Sequence, residues 1–140
     1  MGLPGWLEVA LGELQQGVHE VPGPASNPRI VEYLQGLGTG GGDETPWCAA
    51  FVGWCLKHSG HPGTGLPNAR SYLGWGQPTE LRLGAAAVLW RGARDGWQGH
   101  VAFILDTSDS SLYLLGGNQG DRVSVAAYPK DRLLGLRWPN

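Results

Sequence analysis

The chain lacks the features that would place it in several large functional classes. No apolar run approaches the ~18 residues of a bilayer-spanning helix, so no membrane span is expected. The opening Met1-Gly2-Leu3-Pro4-Gly5 lacks a basic stretch followed by an apolar one, so no signal peptide is expected. Positive charge is not in excess: ten Lys and Arg face twelve Asp and Glu, a net charge of −2 that argues against a nucleic-acid binder. Cysteine is nearly absent. The two present, Cys48 and Cys55, fall on one predicted helix, roughly 10 Å apart along its axis, too far to pair. The chain is therefore expected to suit a reducing cytoplasm or folding without disulfides.

What is present suits one compact unit. The 140 residues are 41% hydrophobic, enough for one core and a single domain spanning 1–140. The 24 Gly and 10 Pro are spread between periodic segments, which points to many tight turns. Seven Trp exceed what one such core needs, so some are expected to line a surface groove.

Helical periodicity comes first along the chain. A first helix is expected from Pro4 to Gln16, stopped by Gly17. A second starts at Asn27-Pro28 as N-cap and first residue and runs to Leu34. The glycine-rich stretch Gly36 to Gly42 is no phosphate loop, because no Gly-Lys-Ser/Thr follows; it reads as a connection. A third helix should run from about Pro46 to Ser59, and a short fourth from Ala69 to Trp75, capped by Asn68. Five strands are then expected: Ala85 to Arg91, His100 to Asp106, Ser111 to Leu115, Arg122 to Ala126 and Leu133 to Trp138. Helices before an antiparallel sheet give an α+β class, with no internal repeat.

The third helix carries the chemistry. Thr45 suits its N-cap and Pro46 its first position, which puts Cys48 in the first turn. There the outward backbone N–H groups and the positive end of the helix dipole favour a thiolate, the nucleophilic form. The plainer reading of Cys48 is a small buried hydrophobe, which is the reading for Cys55, two turns further among apolar neighbours. His58 and His61, near that helix's end, lack Cys or carboxylate partners and make a weak metal site; His58 also suits the negative end of the dipole.

A nucleophilic cysteine needs a base and a group that orients the base. His100 opens a strand after Gln98-Gly99, where it can face a cleft; otherwise it is a surface histidine at a strand end. Asn118 follows the next strand, and a short antiparallel turn sets the start of one strand beside the end of the next. Its side-chain oxygen there would accept the imidazole N–H and fix the tautomer; alternatively Asn118 serves only as a left-handed turn residue.

These residues, in this order, resemble the papain-like amidases of the CHAP and NlpC type. The resemblance rests on Asp43-Glu44-Thr45-Pro46-Trp47-Cys48-Ala49-Ala50-Phe51-Val52, on Ala69-Arg70-Ser71-Tyr72, on Trp97-Gln98-Gly99-His100-Val101 and on Leu115-Gly116-Gly117-Asn118-Gln119. It extends to residues 22–30 and to the closing Leu133-Leu134-Gly135-Leu136-Arg137-Trp138-Pro139, nearly the whole chain. It implies a papain-like fold, helices packed on a sheet of about five antiparallel strands with the cysteine at a helix N-terminus. It implies cleavage of amide bonds in peptidoglycan, between sugar and stem peptide or within the peptide. One departure stands out: many NlpC-type enzymes orient the base with a second histidine, and the strand after His100 has none. Asn118 or Asp121 must take that place, since Asp106 lies some 20 Å along His100's own strand at ~3.3 Å per residue.

On this reading Cys48 attacks a carbonyl, His100 relays the proton to the leaving amine, and the Cys48 backbone N–H helps hold the oxyanion. Trp47, Trp75 and Trp97 are candidate groove walls, each equally open to a packing role. Gln119 and Glu44 are candidate substrate contacts, although Glu44 also suits the helix dipole. The chemistry requires no metal or cofactor. The expected partner is bacterial peptidoglycan, and a monomer is expected. Two cellular roles fit: a phage endolysin released through a holin pore, or a secreted antibacterial effector paired with an immunity protein. Either is made in the cytoplasm and acts at the cell wall after release or delivery. A non-catalytic wall- or glycan-binding module, or a cysteine transferase or deubiquitinase-like enzyme on the same scaffold, are the alternatives.

Overall fold

The computed structural model describes residues 2–21, 26–37 and 46–140. Three α-helices come first: α1 (Gly5–Gln16), α2 (Pro28–Gln35) and α3 (Cys48–Lys57). A 3-10 helix, Ala69–Gly74, leads into the strands β1 (Gln77–Pro78), β2 (Ala86–Trp90), β3 (Gly99–Thr107), β4 (Ser111–Gly116), β5 (Ser124–Pro129) and β6 (Leu133–Trp138). A second 3-10 turn, Lys130–Arg132, joins β5 to β6. All pairings are antiparallel and the spatial order is β1-β6-β2-β3-β4-β5, so the architecture is α+β.

The helices form where the sequence provides an apolar stripe and a stop. Gly17 ends α1 in the left-handed conformation, φ 68°. Asn27 caps α2 by accepting from the Arg29 backbone N–H at 2.8 Å, with Pro28 in the first turn. Helix α3 differs: Cys48, Ala49, Ala50, Phe51, Val52, Cys55 and Leu56 are all buried, so it is apolar nearly all round. Such a helix must be enclosed. It packs on α1 and α2 on one side and on β3 and β4 on the other. Where α1 meets α2, the buried Glu13 carboxylate accepts from the Tyr33 hydroxyl at 2.6 Å and pairs with Arg29 at 3.0 Å, so its charge is compensated.

The sheet buries both faces. Val88, Val101, Phe103 and Leu115 join the helix-side core, while Ala87, Leu89, Ala102, Ile104, Leu112 and Leu114 form a second core behind them. This is why 85–91 reads as a continuous apolar run instead of an alternating one. The second core is closed by curling the sheet. In a flat sheet four strand spacings, ~19 Å, would separate β5 from β6, yet Pro129 and Leu133 are only four residues apart and span at most ~14 Å. Tyr128, Leu133 and Leu136 accordingly fold over the second core.

Two differences from the sequence expectation concern the sheet. It has six strands, because the two-residue β1 pairs with the end of β6 at Gln77–Trp138 and Pro78–Arg137. The fourth expected strand begins later, at Ser124, because residues 117–121 turn tightly, with Asn118 at φ 58° and Asp121 at φ 62°. The third helix also begins later, at Cys48 instead of Pro46, with Trp47 as its N-cap residue and no side-chain cap. Thr45, the expected cap, lies outside the described residues.

Candidate active site

Trp47 fixes the start of α3. Its side chain is enclosed in the core, stacked on Tyr33 at 5.9 Å, and its indole N–H donates to Glu20 at 3.1 Å. Its carbonyl accepts the first helical hydrogen bond, from Phe51 N–H at 3.0 Å. Cys48 is thereby the first residue of the helix, where backbone N–H groups have no helical partner.

The end of β4 approaches this first turn closely, and two glycines permit it. A Cβ at Gly117 would stand 2.7 Å from both Phe51 and the Trp47 ring. A Cβ at Gly116 would stand 2.8 Å from the Gln119 side-chain oxygen. The Gly-Gly pair therefore lets β4 dock on α3 and lets Gln119 fold back beneath the turn.

His100, on β3 opposite Leu89 of β2, lies between these two elements. Its Nε2 is 2.8 Å from the Gln119 Oε1. The orientation of the amide follows from its surroundings. Its nitrogen faces two backbone carbonyls, Leu114 at 3.1 Å and Ser124 at 2.7 Å, which only accept. The oxygen must then face the ring, and Nε2 must carry the hydrogen. That leaves Nδ1 as the ring nitrogen available to Cys48, the group with which His100 interacts electrostatically.

Burial alone pushes the Cys48 thiol up. The hydrogen bond and charge of His100, with backbone N–H donors at Val101 and Ala49, outweigh it and hold the thiol below its ordinary range. Burial likewise works against charging His100, as does Arg91 nearby, but the Cys48 sulfur and the Gln119 oxygen together raise the imidazole above its usual value. The opposite shifts favour a thiolate–imidazolium pair. Cys48 and His100 keep 7% and 5% of their surface, so the pair lies just under the surface instead of in a wide crevice. Tyr128 covers the imidazole, ring centres 5.3 Å apart.

A family model described as the CHAP domain matches residues 40–118, which take in α3, the first 3-10 helix and β1 to β4. The chain belongs to the CHAP domain family. CHAP domains are generally cysteine- and histidine-dependent amidases or peptidases, and the family points to peptidoglycan as substrate. The resemblance read from the sequence blocks is thus shown. No curated protein matches the chain. The CHAP match ends at Asn118, so Gln119 stands on the geometry alone.

Several expected site residues sit elsewhere. Asn118 was expected to hold the imidazole, but the oxygen on His100 belongs to Gln119. Asn118 takes the left-handed turn position instead, a conformation that Asn tolerates far better than Gln. That preference was the available signal for which of the two would turn and which would point inward. Gln119 was expected to contact substrate, but its amide is buried and fully engaged internally. Trp47 was expected to wall a groove, and it is core. Trp75 is half-buried, its N–H given to the Pro62 carbonyl at 2.9 Å and its ring set edge-on against Tyr72. Trp97 is 77% exposed, on the loop that leads into His100. Glu44 lies outside the described residues. Tyr128 was missed by the sequence reading, because its approach to His100 depends on the curl of the sheet.

Proposed function

We propose that this CHAP domain hydrolyses an amide bond of peptidoglycan, between sugar and stem peptide or within the peptide, with Cys48 as nucleophile, His100 as acid and base, and Gln119 as the residue that orients the imidazole. The observation that carries this reading is the line Cys48, His100, Gln119, with the tautomer set by the amide's carbonyl partners. The thiolate attacks the substrate carbonyl and forms a tetrahedral adduct, whose oxyanion the Cys48 backbone N–H helps to hold. The imidazolium gives its proton to the leaving amine, the C–N bond breaks, and a thioester remains. Nδ1 then takes a proton from water and the hydroxide adds to the thioester carbonyl. The C–S bond breaks and the acid leaves, its own proton lost to solvent, with the thiolate–imidazolium pair restored.

The whole chain, 1–140, works as one catalytic domain, and it reaches the cell wall after release from the cytoplasm or delivery by a secretion system. An endolysin role and an effector role are separated by the neighbouring gene, a holin in one case and an immunity protein in the other. The catalytic reading is tested by digesting purified sacculi with wild type and Cys48→Ala and mapping fragments by mass spectrometry. New free amino groups that vanish in the variant are expected, and they identify the bond. Sacculi left intact by the wild-type protein would remove the reading.

A further inference from the structure

Arg70 has no part in the chemistry above, yet its side chain makes three hydrogen bonds to one loop. It projects from the 3-10 helix Ala69–Gly74, which the buried Ala69 and Tyr72 anchor in the core. Its Nε donates to the carbonyl of Gln98 at 2.8 Å, and its two Nη groups donate to Arg94 at 2.9 Å and Ala93 at 2.8 Å. All three acceptors lie in the β2–β3 loop, residues 91–98. The aliphatic stem of Arg70 runs against Gly99, where a Cβ would stand 3.0 Å from its Cγ and 2.9 Å from the Leu89 carbonyl. Only a guanidinium forks to several carbonyls in this way; a lysine is a point donor.

The loop thus held carries Trp97, the most exposed of the large apolar side chains among the described residues. Trp97 is three residues before His100, within ~10 Å of it along the chain. An indole presented to solvent on a loop fixed by three charge-assisted hydrogen bonds is a binding platform whose ordering has been completed before a ligand arrives. His100 itself makes no hydrogen bond to Arg70. It is held by its ladder pairing with Leu89 and by Gln119.

We propose that Arg70 is a positioning residue for substrate binding: it sets the β2–β3 loop so that Trp97 forms a rigid wall beside the Cys48–His100 pair. This rests on the hydrolase reading. Its effect falls on KM and leaves the chemical step alone.

The test uses soluble muropeptides released from sacculi with lysozyme, and the variants Arg70→Ala, Arg70→Lys, Trp97→Ala and Arg70→Ala/Trp97→Ala. KM is expected to rise about 5-fold or more in each single variant, with kcat within about 3-fold of wild type. The acid limb of the pH profile should not move. The double variant should be no worse than the poorer single one, because both act through one element. Hydrogen exchange should quicken at the Ala93 and Gly96 amides in Arg70→Ala, whose partners are the loop's own Arg91 and Ala93 carbonyls, and stay unchanged in α3. Trp97 is exposed, so its variant is expected to fold. A fall in kcat at constant KM, additive single effects, or unchanged exchange in the loop would each overturn the proposal. Failure of the wild-type protein to cleave muropeptides or sacculi is a separate result, which removes the hydrolase reading and this inference with it.

Discussion

Cys48 and Cys55 occupy the same helix, seven residues apart, and differ in nearly everything else. Cys48 is the first residue of α3, keeps a sliver of surface, and has an imidazole and two backbone N–H groups that hold its thiol low. Cys55 is fully buried two turns on, where burial, with the charge of Glu13, drives its thiol well above the ordinary range. Desolvation acts on both. What separates them is whether partners exist that favour the charged form. The charge state favoured at each thiol of this helix is set by its position.

That comparison can be broken at several points. The largest effect is expected from replacing each cysteine in turn. Cys48→Ala should remove at least about 10³-fold of sacculus hydrolysis, whereas Cys55→Ala should keep activity and cost about 1 kcal/mol in denaturant unfolding. Equal losses would erase the distinction. Next in size is the orienting amide. Gln119→Ala should lower kcat about 10²-fold, while Asn118→Gly, which relieves a positive φ, should change it less than about 2-fold in the same assay.

A third test reads the thiols directly. Cys48 should react with iodoacetamide at pH values below the ordinary thiol range, and Cys55 only once the protein is unfolded. In His100→Ala the hydrogen bond and charge are gone and burial remains, so the Cys48 reaction should shift to higher pH. The same pair predicts a bell-shaped pH–rate profile: its acid limb reports a lowered thiol, and its alkaline limb a raised imidazole. The smallest effect expected is on the scaffold. Gly117→Ala sets a methyl against Phe51 and Trp47 and should cost about 1–3 kcal/mol, read as a lower unfolding midpoint.

The element order was legible in the sequence because α1 and α2 carry a stop and a helical period, and the strands are short apolar runs bounded by turn residues. Gly17, Asn27-Pro28 and the 85–91 run each declare themselves locally. β1 was not legible, since two residues hold no period and Gln77–Pro78 is a strand only because β6 ends beside it. The start of α3 was placed two residues early, because a Thr-Pro pair suggests a cap while the burial of Trp47 decides the actual turn. Cys48 and His100 could be proposed from their surroundings in the chain. Gln119 was confused with its neighbour because the turn geometry, which assigns one residue to the bend and the next to the interior, is fixed by the docking of Gly117 on α3. Most tryptophans went to packing because the helix-side core takes them: Trp6 and Trp47 are buried in it, and Trp54, Trp75 and Trp138 pack against it.

The three side chains at the centre of this site come together on very different scales of sequence. His100 and Gln119 are joined through one hairpin, β3 to β4, whose turn is only three residues long, so they meet early in any ordering of local before distant contacts. Cys48 must close a loop of more than fifty residues to reach them. Cys48 acquires the imidazole that lowers its thiol only when α3 is packed on the sheet. The onset of thiol reactivity at low pH would then report the packing of α3 on the sheet during refolding.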